Sequence, residues 1–396
     1  MSLADQASLL LIPSGYKSQK VYSIFPTDGD GDFDFSRSGS ATRIAKNGLI
    51  TTVDSNVPRL EYPMIDGVVN GCPSLLLEPQ RTNSFTYSED FSQSYWNKNS
   101  ASVTLTSKIA PNGTLNSVYN LVGTAANLWS AGTIGTQHTI SFYIKSNGQG
   151  KDKFRLRLGN NTSIEYTATN EWVRYEYTET PTTSVYSITT SSAPNNEYDL
   201  LVWGGQAEQG SFQTSYIPTN GSAVTRNAET CDGAGDAATF NDSEGVLMAE
   251  ISALDSESTN KMITISNGSN STRILIRYVG TTLLAQLRIS GANQYEFGYD
   301  PTNIKDNFKI AIKYKANDFS FFVNGFELDS SNSGSTFSDG TLTELAFDDG
   351  GGSNDFYGNT KQVQYYNSAL TDSELEQLTS WTSFTDMAEG QLYTIE

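Results

Sequence analysis

From residue 85 onward the chain is written in short segments where apolar and polar positions alternate, or where apolar residues cluster over five to eight positions. "HTISFYIKS", "KFRLRLG", "EWVRYEYTET" and "FKIAIKY" alternate with period two, which predicts strands with one packed face and one wet face. Between such segments sit Gly, Asn and Pro, the residues that turns require. Within residues 85–228, "SVTLTSK", "SIEYTAT", "SVYSITTS" and "YDLLVWGGQAE" add further strands. Within 229–396, "GVLMAEISAL", "KMITISNG", "RILIRYVG", "LLAQLRIS", "YEFGYD" and "DFSFFVNGFEL" repeat the theme. Many short strands at regular spacing predict an all-β chain with two antiparallel β-sandwich, or jelly-roll, domains. One helix is predicted, over "TDSELEQLTS". There Thr371 and Glu374 have the spacing of a capping box, and Leu375 and Leu378 share a face.

Residues 1–84 read differently. "KVYSIFP" and "DFDFS" are short β-signals, and "ATRIAKNGLITTV" predicts a hairpin about Asn47-Gly48. Pro58, Pro63, Pro73 and Pro79 argue against helix and against central strands here. A segment so interrupted cannot bury a core of its own. It is expected to wrap on another domain or on copies of itself, as an anchoring or oligomerisation segment. The polar stretch "FQTSYIPTNGSAVTRNAET" marks the next boundary, so the division is 1–84, 85–228 and 229–396.

Composition narrows the partners. Of 396 residues, 37% are hydrophobic and 17% charged, while 21 Tyr and 19 Phe supply the apolar surface that aliphatic residues do not. A net charge of −19 opposes binding to nucleic acid and to anionic membranes, both of which need clustered Lys and Arg. The first twenty residues carry an apolar run of only "LLLI" without a preceding basic segment, which matches neither a secretory signal nor a membrane span. Cys72 and Cys231 lie far apart without metal spacing and are expected to be buried free thiols.

Candidate chemistry comes in two acidic stretches and a set of aromatics. In "FPTDGDGDFDFSRSGS", Asp28, Asp30, Asp32 and Asp34 fail the EF-hand spacing. Counting from Asp28 or from Asp30 places Phe33 or Phe35 where glycine is needed. The alternation of carboxylate and ring instead predicts a half-buried strand edge. In "FDDGGGSNDFYG", Asp348, Asp349, Asn354 and Asp355 offer hard oxygen ligands on a glycine-rich loop. An exposed turn at the sandwich rim is the plainer expectation, with calcium as the alternative cofactor. The single histidine, His138, heads a strand, and without a G-x-S-x-G elbow it is expected to be a strand-end polar residue. Zinc, phosphate-loop and dinucleotide motifs are missing. A carboxylate pair of the glycosidase kind stays open.

Saccharides bind flat aromatic faces flanked by Asn, Asp and Gln. Trp129, read as lying in a small-residue loop beside Asn127, is the best such platform. Trp96, with Tyr95 next to it, reads either way, and Tyr278, Tyr295 and Tyr299 are face candidates in the last domain. Trp172 and Trp203 are expected in strands, packing into the core, and Trp381 is expected to pack near the helix.

Several of these stretches carry a resemblance. "SLLLEPQRTN", "ISFYIKS", "EWVRYEYT", "WGGQAEQGSFQTSYIPT", "AVTRNAE" and "DGDFDFSRSGSATRIAKNGLI" resemble bacteriophage virion proteins of the tail-fibre and head-fibre type. The middle domain resembles a carbohydrate-binding-module jelly roll. "FFVNGFEL" and "VQYYNSALTDSELEQL" resemble the strand, turn and closing helix of concanavalin A-like, laminin-G-like sandwiches. The resemblance implies a non-enzymatic adhesion protein on the virion surface, assembled in the host cytoplasm and commonly trimeric. Its implied partners are host-cell or environmental glycans and other virion proteins, without membrane insertion. A purely structural virion protein and a polysaccharide depolymerase are the alternatives.

Overall fold

The computed structural model describes residues 3–65, 67–191, 196–256 and 259–381. The chain is all-β. Two β-sandwich units carry almost all of the secondary structure, and the one α-helix, Asp372–Thr379, lies near the carboxy terminus.

The carboxy-terminal unit consists of two sheets over one aromatic and aliphatic core. One sheet runs in the order Ala292–Tyr299, Thr282–Ile289, Arg273–Val279, Asn260–Ser266, Glu344–Ala346. The other runs Phe326–Ser331, Asp318–Val323, Phe308–Lys315, Glu244–Ala253, Gly358–Tyr366, Ser74–Leu77, Arg59–Glu61. The last two strands come from the first eighty residues. Leu9–Leu11 pairs with the other half of Gly358–Tyr366, setting Leu9 opposite Tyr365. Leu9, Leu11, Phe33, Phe35, Leu75 and Leu77 are therefore buried in the same core as Ile263, Ile276, Phe321 and Val363.

Ser74–Leu77 is buried along its length and sits between two partners, although prolines argued against a central strand here. Pro73 and Pro79 flank the strand rather than interrupt it, so no ladder N–H is lost. Arg59–Glu61, bounded by Pro58 and Pro63, is the sheet edge.

"DFDF" forms the strand Phe33–Ser36, with both rings buried and Asp34 exposed, where it pairs with Lys20 at 2.7 Å. This strand pairs with Thr230–Asp232, so the amino-terminal segment also grips the chain where it leaves the middle unit. The hairpin Ala41–Ile44 and Ile50–Val53 forms about Asn47-Gly48, with Gly48 at φ +77°, the left-handed region that glycine enters freely.

The middle unit is a nine-stranded sheet that bends over its own core of Phe85, Phe91, Trp96, Phe142, Leu156 and Tyr198. Its longest strands are Tyr119–Ala131 and Glu197–Gln209. Within "WGGQ", Gly204 has φ +63° where the register against His138–Ser146 shifts between Ser141 and Tyr143, so the two glycines mark a bulge. The unit enters through Arg81–Asn83 and leaves through Val224–Arg226, and these two strands pair with each other. It is thus inserted into the carboxy-terminal sandwich on a two-stranded neck.

The helix carries the predicted capping box: Glu374 N–H donates to Thr371 Oγ1, and Thr371 N–H donates to the Glu374 carboxylate. Leu375 is buried and Leu378 half-buried against Val246, Met248 and Leu370. Among the described residues no helix is long and apolar enough to cross a membrane. Cys231 is buried as expected, but Cys72 is exposed, because it lies in the loop before Ser74–Leu77.

Candidate functional site

The motif residues of "LLLEPQRTN", "GGQAEQGSFQTSYIPT" and "TRNAE" meet at the neck. Three guanidiniums, Arg37, Arg59 and Arg226, face three carboxylates, Glu78, Glu208 and Glu229, and all six side chains are buried. Glu229 Oε1 accepts from Arg37 Nη1 at 2.7 Å and from Arg59 Nε at 2.8 Å. Its Oε2 accepts from Arg59 Nη2 and from the Glu78 N–H. Glu78 Oε2 accepts from Arg59 Nη1 at 2.7 Å and from Ser215 Oγ at 2.6 Å, with Arg226 Nη1 at 2.8 Å. Glu208 accepts from Thr214 N–H and Oγ1 and from Gln206 Nε2. Asn83 uses both ends of its amide, donating to Gly205 O and Ile217 O and accepting from Ala207 and Phe85 N–H.

Equal numbers of opposite charges, with most of their hydrogen bonds made, are the condition under which such burial is tolerated, and Arg226 Nε is the nitrogen here without a partner. Burial disfavours the Glu78 anion, but Arg226 and Arg59 outweigh it and hold its pKa down to about 2. Burial likewise opposes the Arg59 cation, and Glu229 and Glu78 outweigh it, raising its pKa. These motifs therefore lock the amino-terminal segment, the neck and both sandwiches together. Their charged groups are engaged with one another.

Beside this lock lies a cleft of about 980 Å³ lined by all three parts of the chain. Glu78, Thr214 and Ser215 of the lock form part of its wall. The amino-terminal segment contributes the hairpin residues 42–44 and 47–50 and Glu61–Met64. The middle unit contributes Tyr143, Trp172, Arg174 and Tyr216, and the carboxy-terminal unit Asn307, Asn359, Lys305 and Lys361.

The aromatic side of the cleft is fixed. Trp203 and Tyr216 ring centroids are 4.7 Å apart, and Tyr143 packs on Trp203 at 5.5 Å. Half-buried Trp172 donates from Nε1 to Ile109 O at 3.1 Å, which sets the plane of the indole. The Arg174 guanidinium lies 5.4 Å from the Tyr143 ring centroid and donates from Nη1 to Thr214 O at 2.6 Å. Glu61 accepts the Ile44 N–H at 2.8 Å, and burial pushes its carboxyl up to about 7 despite Arg59 nearby. Fixed aromatic faces, amide side chains and a few charges in a concave space are the elements of a saccharide site.

The structure redistributes the aromatics singled out in the sequence. Trp96 is 1% exposed, donating from Nε1 to Tyr87 O and packed against Phe85 and Phe91, so it belongs to the core. Tyr95 is half-buried against Trp96 and Tyr87. Tyr278 is 0% exposed and Tyr295 is 5% exposed and stacked on Phe319, so neither presents a face to solvent. Tyr299 is half-buried against the same core. Tyr278, Tyr295 and Tyr299 take the inward side of the pleat, whereas Tyr95 and Trp96 sit in the turn before the strand Asn97–Leu105.

Trp129 lies in the strand Tyr119–Ala131 and not in a loop, because partners on both sides enforce the strand despite its small residues. Asn127 is two residues away on the same outward face, and cross-strand pairing adds Asn97, Asn99 and Thr189 to that face. Trp129 is half-buried there, on a sheet surface rather than in a cleft.

Trp172 is the residue whose role the sequence showed only in part. It precedes the strand Val173–Glu179, packs half-buried against the cluster of Ile50, Ala110, Trp203 and Tyr216 as expected of a core residue, and also lines the cleft, which was not expected. The polar run "TATNE" before it was the available signal. His138 is buried at the head of its strand, with Nδ1 2.9 Å from Thr136 O.

In the acidic loop, Asp349 Oδ1 accepts from Gly351 and Ser353 N–H and Oδ2 from Asn354 Nδ2. Asp348 accepts the Gly350 N–H, and Asp355 accepts from Tyr357 Oη at 2.9 Å. Asp348 and Asp349 are buried and not exposed as a rim turn would leave them, and burial, with Asp349 and Asp355 near, pushes Asp348 up to about 6. Asp349's oxygens are already filled by protein donors. Among the described residues no group of three or more His, Cys, Asp or Glu is placed to hold a metal ion.

No family model and no curated protein matches the chain. Solved structures are similar to parts of it. The CBM40 of the Ruminococcus gnavus IT-sialidase, bound to α2,3-sialyllactose, is 17% identical over 37% of this chain and 87% of its own, with a TM-score of 0.32. A receptor-binding domain of the botulinum neurotoxin C/D mosaic serotype is 12% identical over 38% of this chain and 40% of its own, with a TM-score of 0.31. A heptameric SAP-like pentraxin from Limulus polyphemus is 10% identical over 36% of this chain and 71% of its own, with a TM-score of 0.28. Likeness this distant says nothing of what the present chain binds.

Proposed function

We propose that the chain is a non-catalytic glycan-binding protein and that the three-part cleft is its binding site. One observation carries the reading: Trp172, held by Ile109 O, and Tyr143 stand with Asn307 and Asn359 around a space of about 980 Å³, large enough for several sugar rings. The setting we infer is the virion surface, as a fibre or decoration protein that adheres to host or environmental glycans. The resemblance of "WGGQAEQGSFQTSYIPT" and its companion stretches to phage fibre proteins supports that setting. Single saccharide sites bind weakly, so several copies on one particle, a homotrimer in the first instance, would raise the effective concentration.

The test is a glycan array probed with the full chain beside Trp172→Ala. Binding that the substitution abolishes supports the reading, and the lack of any bound glycan opposes it. Light scattering tests the trimer. Calcium at the loop of Asp348 and Asp349 forms no part of the reading.

A second reading has one observation in its favour. Glu61, with its raised pKa, and Glu171 line the same cleft, and a protonated acid together with an ionised carboxylate is the pairing used in glycoside hydrolysis. A reducing-end assay on every glycan bound separates the two, because a depolymerase releases new reducing ends and an adhesin does not.

A further inference from the structure

We propose that the cleft takes an acidic saccharide, and that the edge of Arg174 formed by Nε and Nη2 receives its carboxylate. This rests on the reading of the cleft as a glycan site and narrows the ligand class.

Charge is the first ground. The chain as a whole has 25 basic and 44 acidic residues. The cleft inverts that balance, with Arg43, Lys145, Arg174, Lys305 and Lys361 against Glu61, Glu78 and Glu171. The three carboxylates are also the less available charges. Glu78 is neutralised within the lock by Arg59 and Arg226. Glu171 and Lys145 face each other at 3.8 Å and offset one charge of each sign, and Glu61 is held towards its neutral form by burial, which leaves Arg43, Arg174, Lys305 and Lys361. An acidic protein that gathers cations around one concave site draws anions there and repels them elsewhere.

The geometry of Arg174 is the second ground. Its Nη1 is occupied by Thr214 O, and its plane is held near the Tyr143 ring. Its Nε and Nη2 are buried without a well-formed hydrogen bond, although Tyr143 is within reach of the guanidinium, and among the described residues Arg174 is the arginine with two such nitrogens. A buried N–H without an acceptor is costly. Nε–H and Nη2–H project in parallel from one edge of the guanidinium, the fork that matches the two oxygens of a carboxylate. A neutral hydroxyl satisfies one of them, whereas a carboxylate satisfies both and brings the opposite charge. Lys305, exposed on the carboxy-terminal wall, adds attraction without a fixed contact.

The experiment titrates the full chain by calorimetry with three probes: a set of hexuronate oligosaccharides, the same set with carboxyls reduced to alcohols, and a sulfated neutral set of equal length. The hexuronates are expected to bind at least about tenfold tighter than the reduced set. Arg174→Lys, which keeps the charge and loses the fork, is expected to remove most of that preference by lowering the affinity for the hexuronates more than that for the reduced set. A thermal melt checks that it is folded. Lys305→Gln, at an exposed position, gives a second variant, expected to weaken hexuronate binding alone and to steepen no melt. Equal affinity for hexuronate and reduced sets overturns the inference and leaves the glycan site standing. A preference for the sulfated set overturns the carboxylate. Binding of none of the three overturns both the inference and the reading beneath it.

Discussion

Replacing Glu229 by Gln changes one oxygen to an amide nitrogen and nothing in volume. In the native chain Glu229 accepts from Arg37 Nη1, from Arg59 Nε and Nη2, and from the Glu78 N–H. The substitution leaves three buried guanidiniums facing two carboxylates, Glu78 and Glu208, and turns an N–H₂ towards groups that only donate. Breaking a buried ion pair by removing one partner costs about 3–5 kcal/mol, because the remaining charge is uncompensated. That is a large share of the roughly 5–15 kcal/mol that holds a domain folded. Glu197→Gln provides the comparison. Its pair with Lys151 spans 3.1 Å with both side chains more than 40% exposed, so its loss costs about 0–1 kcal/mol. Urea unfolding followed by tryptophan fluorescence measures both variants. A Glu229→Gln chain that loses no more than Glu197→Gln would refute the claim that the motif residues lock the modules together.

Other expectations follow from single groups. Glu61 has a carboxyl pKa near 7 in the folded chain, above its ordinary value of 4.5, so its contribution to stability is complete below pH 4.5 and is lost as pH rises through 7. Glu61→Gln is therefore more stable than wild type at pH 8 in urea unfolding, by at most roughly 3 kcal/mol, and gains nothing at pH 4; an equal gain at both would refute the assignment. Thr371→Ala removes the acceptor for the Glu374 N–H and is expected to cost about 1 kcal/mol in urea unfolding, and a neutral result would deny the cap its role. A chelator is expected to leave the melting temperature unchanged, because Asp349 draws its donors from Gly351, Ser353 and Asn354; a lowered melt would identify a bound cation.

Local signals in the sequence reported local structure well. The alternation in "DFDF" placed Phe33 and Phe35 inside and Asp34 outside. Asn47-Gly48 marked a hairpin, and the Thr371–Glu374 spacing marked a helix start. Relations across the chain were not legible. The pairing of Arg81–Asn83 with Val224–Arg226 joins residues more than 140 positions apart, and nothing in either segment announces its partner. Hence a middle unit inserted into the last one reads in sequence as three units in series. Nothing in the sequence marked Glu78, Glu208 and Glu229 as buried, and their burial is tolerable only because three distant arginines meet them. The cleft was hidden for the same reason, since its walls come from all three stretches. Tryptophans were the least certain guide. A ring in a strand faces inward or outward according to register, and the one at the cleft stands just outside its strand.

Amide hydrogen exchange of the full chain, with and without a saturating acidic oligosaccharide, bears most directly on where this protein holds a glycan. Protection is expected in residues 42–50, in 61–64 and around Trp172 to Arg174, three of the stretches that line the cleft. Protection confined to the sheet face that carries Asn127 and Trp129, with those three stretches unchanged, would contradict the account.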